Sequence, residues 1–243
     1  MTVHPRKDWT STKAADAHPF ADQYVKGTAV HWNGPTVPKS ALSDPRSFLE
    51  GVRRFHVNTR KWSDIAYNMA VDQQGGIWVL RGMAHMSGAN GDTTTNTKYV
   101  ACLAIIGEGQ APSKKMLASL GTVVGMVRAE YPRATQVVTH QAIRPGSTAC
   151  PGPDLIKAVN SRALEPGPGL PEVSVHFMRH AWEKDRNRKT GLHPIQTRRV
   201  QKALGLLVQT GRWGKRTRGF FPGHGPTAAT LKAVSRGAYK VVD

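Results

Sequence analysis

No stretch of the sequence approaches the roughly 20 consecutive apolar residues that a bilayer-spanning helix needs, so a membrane-inserted reading is excluded. The opening Met-Thr-Val-His-Pro-Arg-Lys-Asp-Trp has no apolar segment of the secretory-signal kind. The expectation is a chain made in the cytoplasm, needing help to reach any target beyond the membrane. Cysteine is scarce as well. Cys102 lies in the apolar run Tyr-Val-Ala-Cys-Leu-Ala-Ile-Ile and reads as part of a buried strand, whereas Cys150 lies in a Pro/Gly/Ser/Thr loop. That pair does not make a disulfide framework, and a loop thiol points to a reactive or metal-binding group. Acidic residues are few: 16 Asp and Glu stand against 34 Lys and Arg, for a formal charge of +18. The imbalance is concentrated, with 15 basic and 3 acidic residues in 176–243, net +12, against net +6 for the rest. A segment so basic implies an anionic partner, which could be nucleic acid, a membrane surface or the polymers of a cell wall.

What is present is enough for a packed core, with 39% hydrophobic residues in 243. The clearest seam is Leu-Glu-Pro-Gly-Pro-Gly-Leu-Pro-Glu at 164–172, because three prolines and two glycines so close together cannot continue a helix or a central strand. It separates a first domain, 1–163, from a linker, 164–175, and a second domain, 176–243. In the first, strand-like runs end at residue 32 and begin at 66, 77, 101 and 136, with helical spacing over 44–55 and 114–131 between them. The second helix carries Met116, Leu117, Leu120, Val123, Val124 and Val127 as its core set. The first has Asp44 and Pro45 at its start and Phe48, Leu49 and Val52 on one face. Asp72-Gln-Gln-Gly-Gly reads as a hairpin loop between two of the strands. The alternation predicts an α/β domain with a central mixed sheet flanked by helices, followed by a small, mainly α-helical domain.

Two histidines end apolar strands, His31 in Ala-Val-His-Trp-Asn-Gly and His140 in Val-Val-Thr-His-Gln, and strand ends are where a sheet displays functional groups. Ten residues beyond His140, Arg-Pro-Gly-Ser-Thr-Ala-Cys-Pro-Gly-Pro delivers Cys150. Two neutral imidazoles and one thiolate form a three-ligand zinc set with an open fourth position, the pattern of catalytic rather than structural zinc.

The strings around these residues resemble the type 2 N-acetylmuramoyl-L-alanine amidases, a group that includes phage endolysins and catalytic peptidoglycan recognition proteins. The likeness covers most of residues 28–156. Trp62-Ser-Asp-Ile-Ala-Tyr-Asn-Met is similar to the family's Trp-x-Asp-Ile-Gly-Tyr-His-Phe, Ala84-His-Met-Ser-Gly-Ala-Asn to its Ala-His-Ala-x-Gly-x-Asn loop, and Thr148-Ala-Cys-Pro-Gly to its closing Thr-x-Cys-Pro-Gly. The resemblance implies that His31, His140 and Cys150 hold Zn2+, that Tyr67 places its hydroxyl beside the attacking water, and that Thr148 faces the substrate carbonyl. A thiolate gives the metal more negative charge than a third imidazole, which raises the value of extra donors to a developing oxyanion; Tyr67 and Thr148 are the candidates.

The chain departs from the family pattern in three places. The loop from His140 to Cys150 is about two residues longer than usual, and the Asp often found two residues after the second histidine is Ala142, so support for the metal ligands must come from elsewhere. The histidine that usually follows the tyrosine is Asn68, and Ala104 stands where some relatives place a catalytic Glu. Glu108 reads as a solvated loop residue. His85 and Asn90 fit either a substrate groove or a loop that needs turn-compatible residues.

Beyond the linker, Val200-Gln-Lys-Ala-Leu-Gly and then Gly-Arg-Trp-Gly-Lys-Arg-Thr resemble the three-helix peptidoglycan-binding module of wall hydrolases. Basic residues interleaved with Trp213, Phe220 and Phe221 would also suit nucleic acid. The His/His/Cys set disfavours a nuclease, so peptidoglycan and anionic wall polymers are the expected partners of a monomeric enzyme. The expected function is zinc-dependent cleavage between N-acetylmuramic acid and L-alanine by a lytic phage endolysin released through a holin. The alternatives are a bacterial wall-recycling or remodelling amidase and a non-catalytic peptidoglycan binder.

Overall fold

The computed structural model describes residues 2–15, 18–131, 133–165, 172–174 and 240–242. The chain divides into two compact units, Met1–Val127 with Arg133–Pro166, and Arg128–Pro132 with Gly167–Asp243. The described residues of the second unit include one parallel strand pair, β7 (Glu172–Ser174) with β8 (Lys240–Val242). The helical module expected over 176–243 lies otherwise outside the described residues.

The first unit is built on a six-stranded sheet in the order β1-β4-β3-β5-β2-β6. Its strands are β1 (Val3–His4), β2 (Gly27–Trp32), β3 (Met69–Val71), β4 (Ile77–Val79), β5 (Tyr99–Ala104) and β6 (Gln136–Thr139). β3, β5, β2 and β6 run parallel, and β4, with β1 beside it, runs against them. The sheet is mixed and flanked by helices, as the alternation of runs predicts. The central strands β2 and β5 read as near-continuous apolar stretches because both their faces are covered, and every residue of β5 is buried. The β3–β4 turn is organised by Asp72, whose carboxylate accepts from the Gln74 and Gly76 amides at 2.9 and 2.8 Å and from the Trp78 indole at 2.7 Å. Gly75 at φ +85° completes it.

Helices α1 (Lys39–Ser43) and α2 (Arg46–Arg54) pack Ala41 and Leu49, with Phe48 and Val52, into a cluster with Trp9, Ala70, Trp78, Leu80, Leu103 and Ile105. α2 begins at Arg46, with Asp44 Oδ1 accepting from its amide at 3.2 Å. α4 (Lys114–Glu130) buries Met116, Leu120, Val123, Val124 and Val127. Three short helices complete the unit: α3 (Thr93–Lys98), α5 (His140–Ile143) and α6 (Pro153–Asn160). Leu164, the first residue of the predicted linker, is fully buried, so the packed body runs through it.

Between α2 and β3 the helix loosens into a π-helical turn, Phe55–Thr59, a local form that recurs at functional sites. It buries His56, whose Nδ1 accepts from the Ala66 amide at 3.1 Å and so fixes the approach to Tyr67. The imidazole is therefore neutral, with its proton on Nε2. Burial, then the charges of Arg81 and Arg60, lowers His56 from the ordinary histidine range to about 4. The unfolded chain, with an ordinary histidine near 6.5, thus binds more protons than the folded one between pH 6.5 and 4, and stability falls as pH falls through that window. His56→Gln, which keeps an acceptor for Ala66, should remove about 2 kcal/mol of the stability difference between pH 7 and pH 5. Denaturant midpoints of both chains across that range measure it, and parallel pH profiles would remove His56 from the account.

Candidate functional site

β2 and β6 are neighbouring parallel strands, in register from Gly27 opposite Gln136 to Val30 opposite Thr139. The next residue of β2 is His31, and the next after β6 is His140, so the pairing alone delivers both imidazoles to the carboxyl ends of adjacent strands, where open α/β sheets bind ligands. Their ring centroids are 4.6 Å apart. At His140 the chain leaves the sheet because Thr139 caps α5, its Oγ1 accepting from the Ala142 amide at 3.1 Å. The loop then returns: the Gln141 amide donates to Cys150 O at 2.8 Å, and the Trp32 amide donates to Cys150 Sγ at 3.4 Å. Gly152 fixes the return path. Its φ is +85°, and a Cβ there would collide with the Trp32 ring.

The ligand atoms of His31, His140 and Cys150 all lie within 4.8 Å of one another, and Cys150 Sγ is 3.7 Å from His31 Nδ1. This is the one such group of metal-capable side chains among the described residues. The protonation pattern suits a cation. Asn90 is completely buried, and its amide nitrogen donates to Tyr99 O at 2.9 Å and Ser87 Oγ at 2.7 Å, so its Oδ1 must face His31 Nε2, 2.9 Å away. An amide oxygen only accepts. His31 therefore carries its proton on Nε2 and turns the Nδ1 lone pair toward Cys150. Burial, then the neighbouring His140, lowers His31 to about 3, and burial followed by Arg144 lowers His140. Both rings are neutral ligands in the physiological range. Burial pushes the Cys150 thiol up to about 12, with the Trp32 amide working against that. A cation bound here displaces the thiol proton, so binding strengthens as pH rises.

The Tyr67 ring meets His31 edge-on at 5.5 Å between centroids. Burial, then the Cys150 thiolate charge, raises its hydroxyl above the ordinary phenol range, so it stays a proton-bearing donor. The neighbouring Asn68 has a backbone role. It is fully buried, its Oδ1 accepts from the Ala101 amide at 2.9 Å, and its Nδ2 donates to Gly82 O and His85 O at 2.9 and 2.7 Å. β3 therefore starts at Met69 rather than at 66, because a side chain substitutes for the ladder just before it. Thr148 is half-buried beside Cys150, and its Oγ1 accepts from the Cys150 amide at 3.1 Å. Ala104 is buried on β5, and Glu108 is exposed.

Sequence reasoning left Asn90 between a substrate groove and a turn and gave His56 no role, and the structure brings both to the site. Asn90 faces the sheet rather than a groove, while His56 lies between Tyr67 and Trp62, tilted to each ring, at centroid distances of 6.0 and 4.8 Å. Trp62 and Phe55 carry this aromatic row to the surface.

No curated protein sequence matches the chain significantly. Among solved structures, bumblebee PGRP-SA aligns with TM-score 0.58 at 20% identity, over 69% of this chain and 98% of its own. A tyrosine-to-phenylalanine mutant of Drosophila PGRP-LB, in complex with tracheal cytotoxin, aligns with TM-score 0.57 at 21% identity, over 68% and 96%. Human PGRP-IβC, in complex with glycosamyl muramyl pentapeptide, aligns with TM-score 0.55 at 18% identity, over 65% and 94%. These likenesses show a common fold. The profile of one protein family matches residues 8–153, more than half of the chain and the whole span that holds the His31, His140 and Cys150 cluster. The chain belongs to the N-acetylmuramoyl-L-alanine amidase family.

Proposed function

We propose that this protein hydrolyses the amide bond between N-acetylmuramic acid and L-alanine in bacterial peptidoglycan, using zinc held by His31, His140 and Cys150. The observation that carries the reading is the convergence of those three donors within 4.8 Å beside Tyr67, in a domain of the amidase family. The donor set fits zinc: two neutral imidazoles, one thiol that yields a thiolate, and no fourth protein ligand among the described residues. When bound, zinc polarises the scissile carbonyl and acidifies the attacking water. The other steps belong to side chains. The Tyr67 hydroxyl, held protonated, donates to the oxygen on which charge develops. The Thr148 hydroxyl, accepting from the Cys150 amide, turns its own hydrogen toward the same oxygen as a second donor. Retention of both Tyr67 and Cys150 favours an enzyme over a passive peptidoglycan receptor. The shared fold with PGRP-LB and PGRP-IβC, solved with tracheal cytotoxin and glycosamyl muramyl pentapeptide, supports a muramyl peptide as the ligand of this face.

In the same reading the protein acts as a monomeric phage endolysin, made in the host cytoplasm and passing to the wall through a holin-permeabilised membrane. The support is the net +12 of residues 176–243, which suits retention on an anionic wall.

Digestion of purified sacculi with mass analysis of the products tests the reaction. Free lactyl-muramic ends with intact stem peptides are expected, and new reducing sugars or cleaved stems would refute it. About one zinc per chain is expected, and alanine at His31, His140 or Cys150 should abolish both metal and activity, since each removes a third of the ligand set. Full zinc and lysis in Cys150→Ala would discard the site. Tyr67→Phe should keep zinc but slow hydrolysis by roughly 100-fold or more, the scale of losing one oxyanion donor, with Thr148→Val milder. Wild-type turnover in zinc-loaded Tyr67→Phe would take the tyrosine out of the mechanism. The full chain should stay on purified wall at salt concentrations that release it from duplex DNA: the Debye length falls from about 10 Å at 0.1 M to about 3 Å at 1 M, which screens contacts to phosphate, whereas a module that fits a wall ligand directly keeps its hold. The reverse order of release would assign the basic segment to nucleic acid.

A further inference from the structure

The long loop between His140 and Cys150 lacks the acidic residue expected beside its histidine, yet it is not left untethered. Arg144, four residues after His140, reaches across to the loop that follows Asn90, and its Nη1 lies 2.6 Å from Asp92 Oδ2. The arm of Arg144 lies flat against Gly91, where a Cβ would come within 2.9 Å of Nε. Asp92 is itself held. Its Oδ1 accepts from the Thr95 amide at 2.7 Å, and the Thr95 hydroxyl bonds back to the Asp92 and Asn90 carbonyls at 3.1 and 2.7 Å, forming the N-terminal cap of α3. Two residues before Asp92 stands Asn90, the group that sets the tautomer of His31. The segment 90–92 thus touches both halves of the ligand set, His31 through Asn90 and the loop carrying Cys150 through Arg144.

We propose that Arg144 and Asp92 are positioning residues for the metal centre: their ion pair clasps the ligand loop to the segment that orients His31, and so holds Cys150 and His140 at binding distance from it. The inference rests on the zinc reading above. The pair sits on no core element, with side chains 39% and 40% exposed, so the closure of the loop depends on it more than the stability of the fold does.

The test is zinc transfer from the loaded, full-length chain to a chromophoric chelator, followed as a rate, beside the thermal midpoint of the chain stripped of metal. Arg144→Gln and Asp92→Asn both remove the ion pair, and Asn at 92 still caps α3. Each should release zinc about 10-fold faster, at the lower end of the roughly 10- to 100-fold range for groups that orient metal ligands. The double variant should be no faster than either single one. Arg144→Lys should recover most of the retention at low salt, and the difference between wild type and Arg144→Gln should shrink toward about 1 M salt. The midpoint of the stripped chain should hardly move. Wild-type release rates in Arg144→Gln, or additive effects of the two substitutions, would overturn the proposal while leaving the zinc site standing. A large fall in the midpoint with unchanged release would assign the pair to the fold instead, and a wild-type chain that takes up no zinc would overturn both readings.

Discussion

The arrangement of His31, His140 and Cys150 depends on one buried hydrogen bond, from His31 Nε2 to Asn90 Oδ1. His31 sits on the second strand of a sheet whose faces are both covered, and an imidazole in such a place is costly unless its polar atoms are satisfied. Asn90 satisfies one of them and decides what the other can do. Its own amide hydrogens are committed to Tyr99 and Ser87, so it cannot flip to offer a donor, and His31 cannot shift its proton to Nδ1 without breaking the bond. The ring therefore keeps a lone pair aimed at Cys150. A buried polar network that is fully satisfied specifies one arrangement, and here that arrangement leaves the Nδ1 lone pair of His31 directed at Cys150.

Much of this was legible in the sequence, and what was hidden has physical reasons. Strands β2, β4 and β5 were readable because covered strands write continuous apolar runs, and α4 because its apolar residues repeat at helical spacing. β1, two residues long, has no period to read. α3 is built from Thr93-Thr-Thr-Asn-Thr-Lys, a composition that favours strand or turn, and it exists because the Asp92–Thr95 capping box and its place beneath Asn90 outweigh propensity. The start of β3 was misplaced because Asn68 imitates a strand with its side chain, something no pattern of hydrophobicity records.

The site divides in the same way. His31, His140 and Cys150 were found as strand ends and a loop thiol, and their grouping came from the order of motifs rather than from spacing, since residues 31 and 150 are far apart in the chain. What the motifs could not supply was the layer behind the ligands. Asn90 fitted a substrate groove or a turn equally well in its Gly- and Ser-rich loop, and nothing in the strings around His56 and Arg144 singled them out. Each earns its role only through partners brought near by the parallel register of β2 with β5 and β6.

The chain also separates two electrostatic regimes. The His31, His140 and Cys150 cluster, buried except for the half-buried His140, is composed of neutral groups, so its ionisation answers chiefly to pH, through the Cys150 proton. The excess positive charge is uneven along the sequence, two thirds of it in residues 176–243, and attraction between exposed charges is screened by salt. On the proposed function, acid would weaken zinc binding while leaving Lys and Arg charged, and salt would weaken long-range attraction to an anionic wall. For an enzyme of the proposed kind, working on an insoluble, anionic substrate, that division gives the metal site and the basic segment separate controls, pH for the one and salt for the other.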